Sequence, residues 1–219
     1  MTLLRRRHGG ADPMPAPGCP LRDLPLLALD LETTGLDPVR GEIVAVGMVP
    51  VDGTVVRLDG AWQSLVRPAG GRGVGDSATV HGLTDDTVAA GSALSDVVSR
   101  VLGELAGRVL LAHHAAIEVG FLSRACRRVG RDFPDVRVVD TVRLHRRVLG
   151  RGRPLGHVGE DELRLGSARA HLGLPPYPDH DALTDALACA ELYLAQVEHL
   201  GGADGLRLRQ VASRVPPSR

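Results

Sequence analysis

Apolar residues come in short blocks in the first third of the chain and at helical spacing after it. Residues 26–29 are apolar and run directly into Asp30, Leu31, Glu32 and then Thr33-Thr34-Gly35. A block of that length, closed by turn residues, predicts a buried strand. Residues 43–49 predict a second strand, and Val51-Asp52-Gly53-Thr54 a hairpin whose return runs over 54–58. Residues 61–67 predict another strand, so the chain opens with an antiparallel meander. The period then changes. Leu94, Val97, Val98, Val101, Leu102 and Leu105 share one helical face, with Ser92 or Ser95 available as its cap. Short strands at 109–112 and 136–139 alternate with helices at 116–129, 141–149, around 165–172 and 181–197. Strands first, then alternating helices and strands, predict a mixed α/β sheet flanked by helices.

Length sharpens this picture to one domain with a substantial core: the chain has 219 residues. We expect a disordered arm over 1–22, a folded domain over 23–200 and a polar, frayed tail over 201–219. The arm carries Arg5-Arg6-Arg7, a solvated triplet that could touch nucleic acid, and lacks the apolar centre of a signal peptide. The Gly-rich stretch 69–76 and the Gly/Arg/Pro stretch 151–159 read as loops. The formal net charge is +0, so no global basic field announces a nucleic-acid partner, yet every cation is an arginine, the side chain best shaped for phosphate. Aromatics at 2% leave no wide base-stacking platform. Cys19, Cys126 and Cys189 are scattered and odd in number, which points to a reducing cytoplasm, and no apolar run is long enough to span a membrane.

The candidate chemistry begins at Asp30 and Glu32. Alternation puts both on one face of their strand, where two buried acids repel each other and lose solvation. A divalent cation removes both costs. Glu118 lies one turn into the helix that follows His113-His114. Asp185 is embedded among Ala182, Leu183, Ala186 and Leu187, and His180 precedes it by five residues. Taken singly, each has a plainer reading: a solvated strand end for the acid pair, an exposed helix position for Asp185, a loop or cap histidine for His180.

Taken in order, the motifs Asp30-Leu31-Glu32-Thr33-Thr34-Gly35, Val80-His81-Gly82-Leu83-Thr84, His113-His114-Ala115-Ala116-Ile117-Glu118, Asp140-Thr141 and His180-Asp181-Ala182-Leu183-Thr184-Asp185 resemble the 3′–5′ exonuclease superfamily with four acids and a catalytic histidine, the DEDDh type, whose members include epsilon-type proofreading subunits of DNA polymerase III. The resemblance implies a ribonuclease-H-like fold with a mixed five-stranded sheet. It implies two Mg²⁺ or Mn²⁺ ions held by Asp30, Glu32, Glu118 and Asp185, with His180 as general base; an unperturbed imidazole titrates near about 6.5. Thr33, Thr34, Val80, His81 and His113 match positions that line the terminal-nucleotide pocket. For His81 and His113 a packed loop histidine is the plainer reading. The implied reaction releases nucleoside 5′-monophosphates from single-stranded 3′ ends, DNA in preference to RNA, with a polymerase or repair partner.

The sequence departs from the family pattern in the second motif. His114, Ile117 and Glu118 stand where Asn, Phe and Asp are usual, so the carboxylate sits one methylene further from the backbone. That departure keeps open a non-catalytic nucleic-acid-binding or polymerase-associated module. An exoribonuclease of the same superfamily also stays open, because pocket shape around the 2′-hydroxyl is not legible in one sequence, and a small-molecule phosphatase would leave the His81 and His113 motifs unused.

Overall fold

The computed structural model describes residues 13–68, 73–150, 158–178 and 180–216, without the side chains of Asp76 and Val80. The proposed roles of Arg5-Arg6-Arg7, of much of the 69–76 loop and of most of the 151–159 loop lie outside the described residues.

Strand β1 (Pro25–Thr33) is followed by β2 (Ile43–Asp52), β3 (Val55–Val56) and β4 (Trp62–Leu65). Two short helices, α1 (Ala78–His81) and α2 (Asp85–Ala89), precede α3 (Leu94–Leu105), β5 (Val109–Ala112) and α4 (Ala115–Arg128). Then come β6 (Val138–Asp140), α5 (Thr141–Leu149), α6 (Leu165–His171), α7 (Ala182–Leu200), α8 (Gly202–Gly205), α9 (Leu208–Val211) and β7 (Ala212–Ser213). The sheet runs β3-β2-β1-β5-β6-β7, with β4 also on the outer side of β2, so it has seven strands. β1 is antiparallel to β2 and parallel to β5, β5 is parallel to β6, and β6 is antiparallel to β7. Two of the seven, β3 and β7, are two-residue additions to the expected five.

Alternation along β1 sorts the core into two layers. Leu27, Leu29 and Leu31 face Val97, Val101 and Leu105 of α3 and Phe121, Leu122 and Ala125 of α4. Leu26 and Ala28 face Leu144 and Val148 of α5 and Ala186, Cys189, Tyr193 and Val197 of α7. Burying each such side chain stabilises the fold by about 1.5–3 kcal/mol before entropy is subtracted.

The structure differs from expectation in five places. The hairpin return pairs for only two residues, because Val51↔Val56 and Asp52↔Val55 close around Gly53, whose φ of +62° is a glycine conformation. The chain then turns through a short 3₁₀ segment. Neither Ser92 nor Ser95 caps α3: its cap position is Ala93, and the Ser92 hydroxyl pairs sideways with Ser64 Oγ at 3.0 Å. Helices α1 and α2 fall where the sequence has no apolar period. Residues 206–213 of the tail are packed, not frayed. Leu206, Leu208 and Val211 are buried, and β7 pairs with β6. The N-terminal segment closes against it: the Leu208 N–H donates to the Cys19 carbonyl and the Leu21 N–H to the Leu206 carbonyl, at 2.9 and 3.2 Å. Leu21, with Cys19 packed against it, thus joins the core that the expected arm excluded.

Candidate active site

The site begins where the α7-facing side of β1 changes character. Leu26 and Ala28 lie in the core under α5 and α7; the next two positions on that face are Asp30 and Glu32. Asp30 pairs with Gly47 and Glu32 with Ala45, and the register slips immediately beyond Glu32. A bulge at that point bends the strand and re-aims the residues beyond it. There, Thr34 is tied to Glu42 twice: its N–H donates to the Glu42 carbonyl and its hydroxyl accepts the Glu42 N–H, both at 2.9 Å. The Thr33 hydroxyl donates to the Gly35 carbonyl at 2.8 Å. Both threonines therefore shape the turn at the site's edge.

Helix α7 approaches this strand end across Gly47. A Cβ at Gly47 would run into the Ala182 carbonyl and the Leu183 N–H, so only glycine lets the start of α7 press onto the sheet opposite Asp30. That contact delivers Asp185, in the first turn of α7, to the acids of β1. Asp181 caps the helix, accepting from the Thr184 N–H at 2.9 Å, and its other oxygen accepts from Gln63 of β4 at 2.8 Å. Sequence reading missed Gly47 and Asp181. A lone glycine inside a strand pattern is the signal for the first; the second has none beyond its place in a motif.

His180 sits just before the cap, exposed, with φ at +67°. Its N–H donates to Asp185 Oδ2 at 3.0 Å. Ligand atoms of Glu32, His180 and Asp185 all lie within 4.8 Å of one another. Glu118 enters from the first turn of α4, buried, and its Oε2 has no hydrogen-bond partner. His114 makes that entry through a left-handed backbone, φ +66°.

The residues expected to line a terminal-nucleotide pocket divide. His113 at the end of β5 bonds Thr141 Oγ1 through Nδ1 at 2.8 Å, while its Nε2 is buried without a partner. Burial, with His114 adding, pushes its pKa down to about 3, so the ring stays neutral. His81 has both nitrogens engaged: Nδ1 accepts from the Leu83 N–H at 3.1 Å, and Nε2 lies 3.0 Å from Ser77 Oγ. Burial and the nearby His180 lower its pKa. These contacts make His81 an anchor of its own segment. Val80 belongs to α1, and its side chain lies outside the described residues.

Electrostatically the acids form one group. Burial pushes the Asp30 carboxyl well above the usual range, reinforced by Glu118, Asp185, Glu32 and Asp181. Burial and Asp185 push Glu32 up to about 7, against the opposing pull of His180. Burial also raises Glu118, with Asp140 adding. In Asp181, burial works upward but the bonds from Thr184 and Gln63 outweigh it, so that carboxyl sits low. Oxygens of Glu32 and Asp185 that meet His180 within 4.8 Å, with the Asp30 carboxyl coupled by charge to both and to Glu118, fit a divalent cation, and hard oxygen donors suit Mg²⁺ or Mn²⁺.

The family model for exonucleases of the RNase T type matches residues 27–193. The chain belongs to this exonuclease family. Similar members include the DNA polymerase III subunit epsilon-like protein of Rhodobacter capsulatus, 36% identical over 178 residues, which cover 80% of this chain and 24% of that protein. The DNA polymerase III subunit epsilon of Treponema pallidum is 28% identical over 181 residues, 81% of this chain and 79% of that protein. The chain thus spans about a quarter of the first relative, and 12% of the PolC-type DNA polymerase III of Thermotoga maritima, 30% identical to it. Among solved structures, the E. coli Exonuclease I complex with a dT13 oligonucleotide superposes with a TM-score of 0.69 at 17% identity, covering 80% of this chain and 41% of that one. The nuclease domain of 3′hExo, a DEDDh family member bound to rAMP, gives 0.65 at 18% identity, covering 82% and 94%. The fold of this exonuclease-family chain is therefore the ribonuclease-H-like one, and among the described residues no helix is long and apolar enough to cross a membrane.

Proposed function

We propose that this chain is a divalent-metal-dependent 3′–5′ exonuclease that removes nucleoside 5′-monophosphates from single-stranded DNA ends. One observation carries the proposal: ligand atoms of Glu32, His180 and Asp185 lie within 4.8 Å of one another, and the carboxyl of Asp30 is coupled by charge to Glu32, Asp185 and Glu118, with burial raising the pKa of three of the acids. Mutually repelling buried acids are poor for stability and good for holding cations. Two ions, when bound, supply the Lewis acidity that offsets charge building on the phosphoryl oxygens.

Asp30, Glu32 and Asp185 would hold one ion, and Asp30 with Glu118 the other, directly or through water. His180 accepts the proton from the attacking water. Its exposure lets it reach that water, and its N–H bond to Asp185 fixes where its backbone stands. Thr33, Thr34, Val80 and His113 would border the terminal nucleotide. Neutral His113, held through Nδ1 by Thr141, would present its ring there, while His81 acts by bracing α1. Relatives named as DNA polymerase III epsilon subunits favour DNA over RNA and a polymerase or repair partner.

The test is digestion of matched 3′-labelled DNA and RNA oligonucleotides in Mg²⁺, in Mn²⁺ and with chelator. Stepwise release of labelled mononucleotide from DNA, stopped by chelation, is expected. Faster cleavage of RNA assigns an exoribonuclease, and no cleavage in either metal assigns a binding module.

A further inference from the structure

Gln63 of β4 stands directly opposite Gly47 of β2, and Gly47 directly opposite Asp30 of β1. Opposite residues in antiparallel pairs present their side chains on one face of the sheet. Here that face is the one α7 covers, so a single row across three strands underlies the start of the helix. Each member of the row meets it differently. Asp30 is coupled by charge to Asp185. Gly47 leaves the gap into which the Ala182 carbonyl and the Leu183 N–H press. Gln63 donates from Nε2 to Asp181 Oδ2 at 2.8 Å.

Asp181 is the junction between sheet and helix. Its Oδ1 accepts the N–H and the hydroxyl of Thr184, at 2.9 and 2.7 Å, and its carbonyl accepts the Asp185 N–H at 2.8 Å. Oδ2, turned the other way, is the oxygen that Gln63 holds. A hydrogen bond to a carboxylate is roughly twice as strong as one between neutral groups. His180 is the preceding residue. It is exposed, takes a left-handed φ and donates its N–H to Asp185 Oδ2 at 3.0 Å. Consecutive Cα atoms are held about 3.8 Å apart across a trans peptide, so a displacement of Asp181 passes directly to His180.

We propose that Gln63 is a positioning residue for the reaction: through Asp181 it fixes where the His180 ring and the first turn of α7 stand. This rests on the exonuclease reading above. Misplacing a catalytic group by about 1 Å can cost of order 10²-fold. Loss of one bond, with Gly47 still seating the helix, should cost less.

The test uses the full chain with a 3′-labelled DNA oligonucleotide and Mn²⁺. Q63L removes the hydrogen bond without adding charge. It should lower kcat about tenfold while KM stays within about twofold. Q63E sets a carboxylate against Asp181 and should lower kcat at least as much. D181N should be mild, because Gln63 can turn its amide to offer oxygen while the new amide still caps Thr184. Q63E/D181N rebuilds the pair with donor and acceptor exchanged, so its kcat should return to within about threefold of D181N. Q63L/D181N should stay low, since neutralising Asp181 does not rebuild the bond. An unchanged kcat in Q63L, no recovery in Q63E/D181N, or recovery in Q63L/D181N overturns the proposal. NMR of the metal-free chain gives an independent readout. The imidazole signal of His180, assigned by its loss in H180A, should shift or broaden in Q63L; an unchanged signal overturns the proposal. An inert wild type removes the exonuclease reading, and the imidazole signal then still decides whether Gln63 holds His180.

Discussion

The acids and the histidine of this site are held by opposite means. Asp30 and Glu32 lie in the middle sheet strand, Asp185 in the first turn of a 19-residue helix and Glu118 in the first turn of a 14-residue one. These side chains are buried or half-buried, and regular hydrogen bonding fixes the backbone under each. His180 lies outside any helix or strand, is exposed and takes a left-handed φ. The contrast fits the roles proposed for them. Cation ligands must keep fixed mutual distances against their own repulsion, so they need rigid support. A proton acceptor must reach a water and release its proton to solvent, so it needs access as well as placement.

If the rigid half works through charge, removing a charge there should have the largest effect. Asp30→Ala or Asp185→Ala should abolish detectable cleavage while circular dichroism shows a folded chain; near-normal cleavage by both variants would remove the cation assignment. His180→Ala, on the exposed half, should lower kcat by about 10²–10⁴-fold with little change in substrate affinity. An unchanged rate at saturating substrate rejects the base role. Gly47→Ala tests the joint between the halves, because its Cβ collides with the backbone at Ala182 and Leu183. It should cost about 10²-fold in rate and lower the melting temperature, as the start of α7 is pushed off β2. A fully active G47A would mean that α7 can shift without disturbing the site.

Glu118 gives a smaller effect within the rigid half. Mg²⁺ requires near-ideal octahedral geometry, while Mn²⁺ binds N/O sites more tightly than Mg²⁺ and tolerates a displaced ligand better. Wild type should therefore prefer Mn²⁺, E118D should narrow that preference, and E118A should lose most activity in both metals. Rates for the three proteins in each metal decide it. The smallest effect concerns stability. Glu32 has a folded-state pKa of about 7 against an ordinary value of 4.5, so the folded chain binds the extra proton between those values. Metal-free stability should therefore be highest at low pH and fall as pH rises through that window, by an amount of order a few kcal/mol. Mn²⁺ should restore it at pH 8 and do little at pH 5. Thermal melts of the chelated protein across pH 5–8, compared with E32Q, check the sign: E32Q should flatten the slope.

The sequence exposes elements and motifs wherever one period or one residue type dominates. β1, β5, α3, α5 and α7 are legible because their apolar residues recur at a clear spacing. Short pieces are not. In the tail, Leu206, Leu208 and Val211 stand singly among Gly and Arg, and only packing in space, with Leu21 and with α5 and α7, makes a core of them. For the site, motif order placed the acids and His180 in one group. It could not show that His81 spends both ring nitrogens on its own segment, because that depends on Ser77 and the Leu83 N–H meeting it in space. Nor could it show that Gly47 is the gap through which α7 reaches Asp30, since the colliding atoms belong to Ala182 and Leu183, far along the chain.

The most direct test of the central claim, that these acids exist to hold cations, is isothermal titration of Mn²⁺ into the metal-free full chain and into a D30A/D185A variant at pH 8. Saturable binding by the wild type, lost or weakened at least tenfold in the variant, is the expected result. Equal binding by both proteins would contradict it.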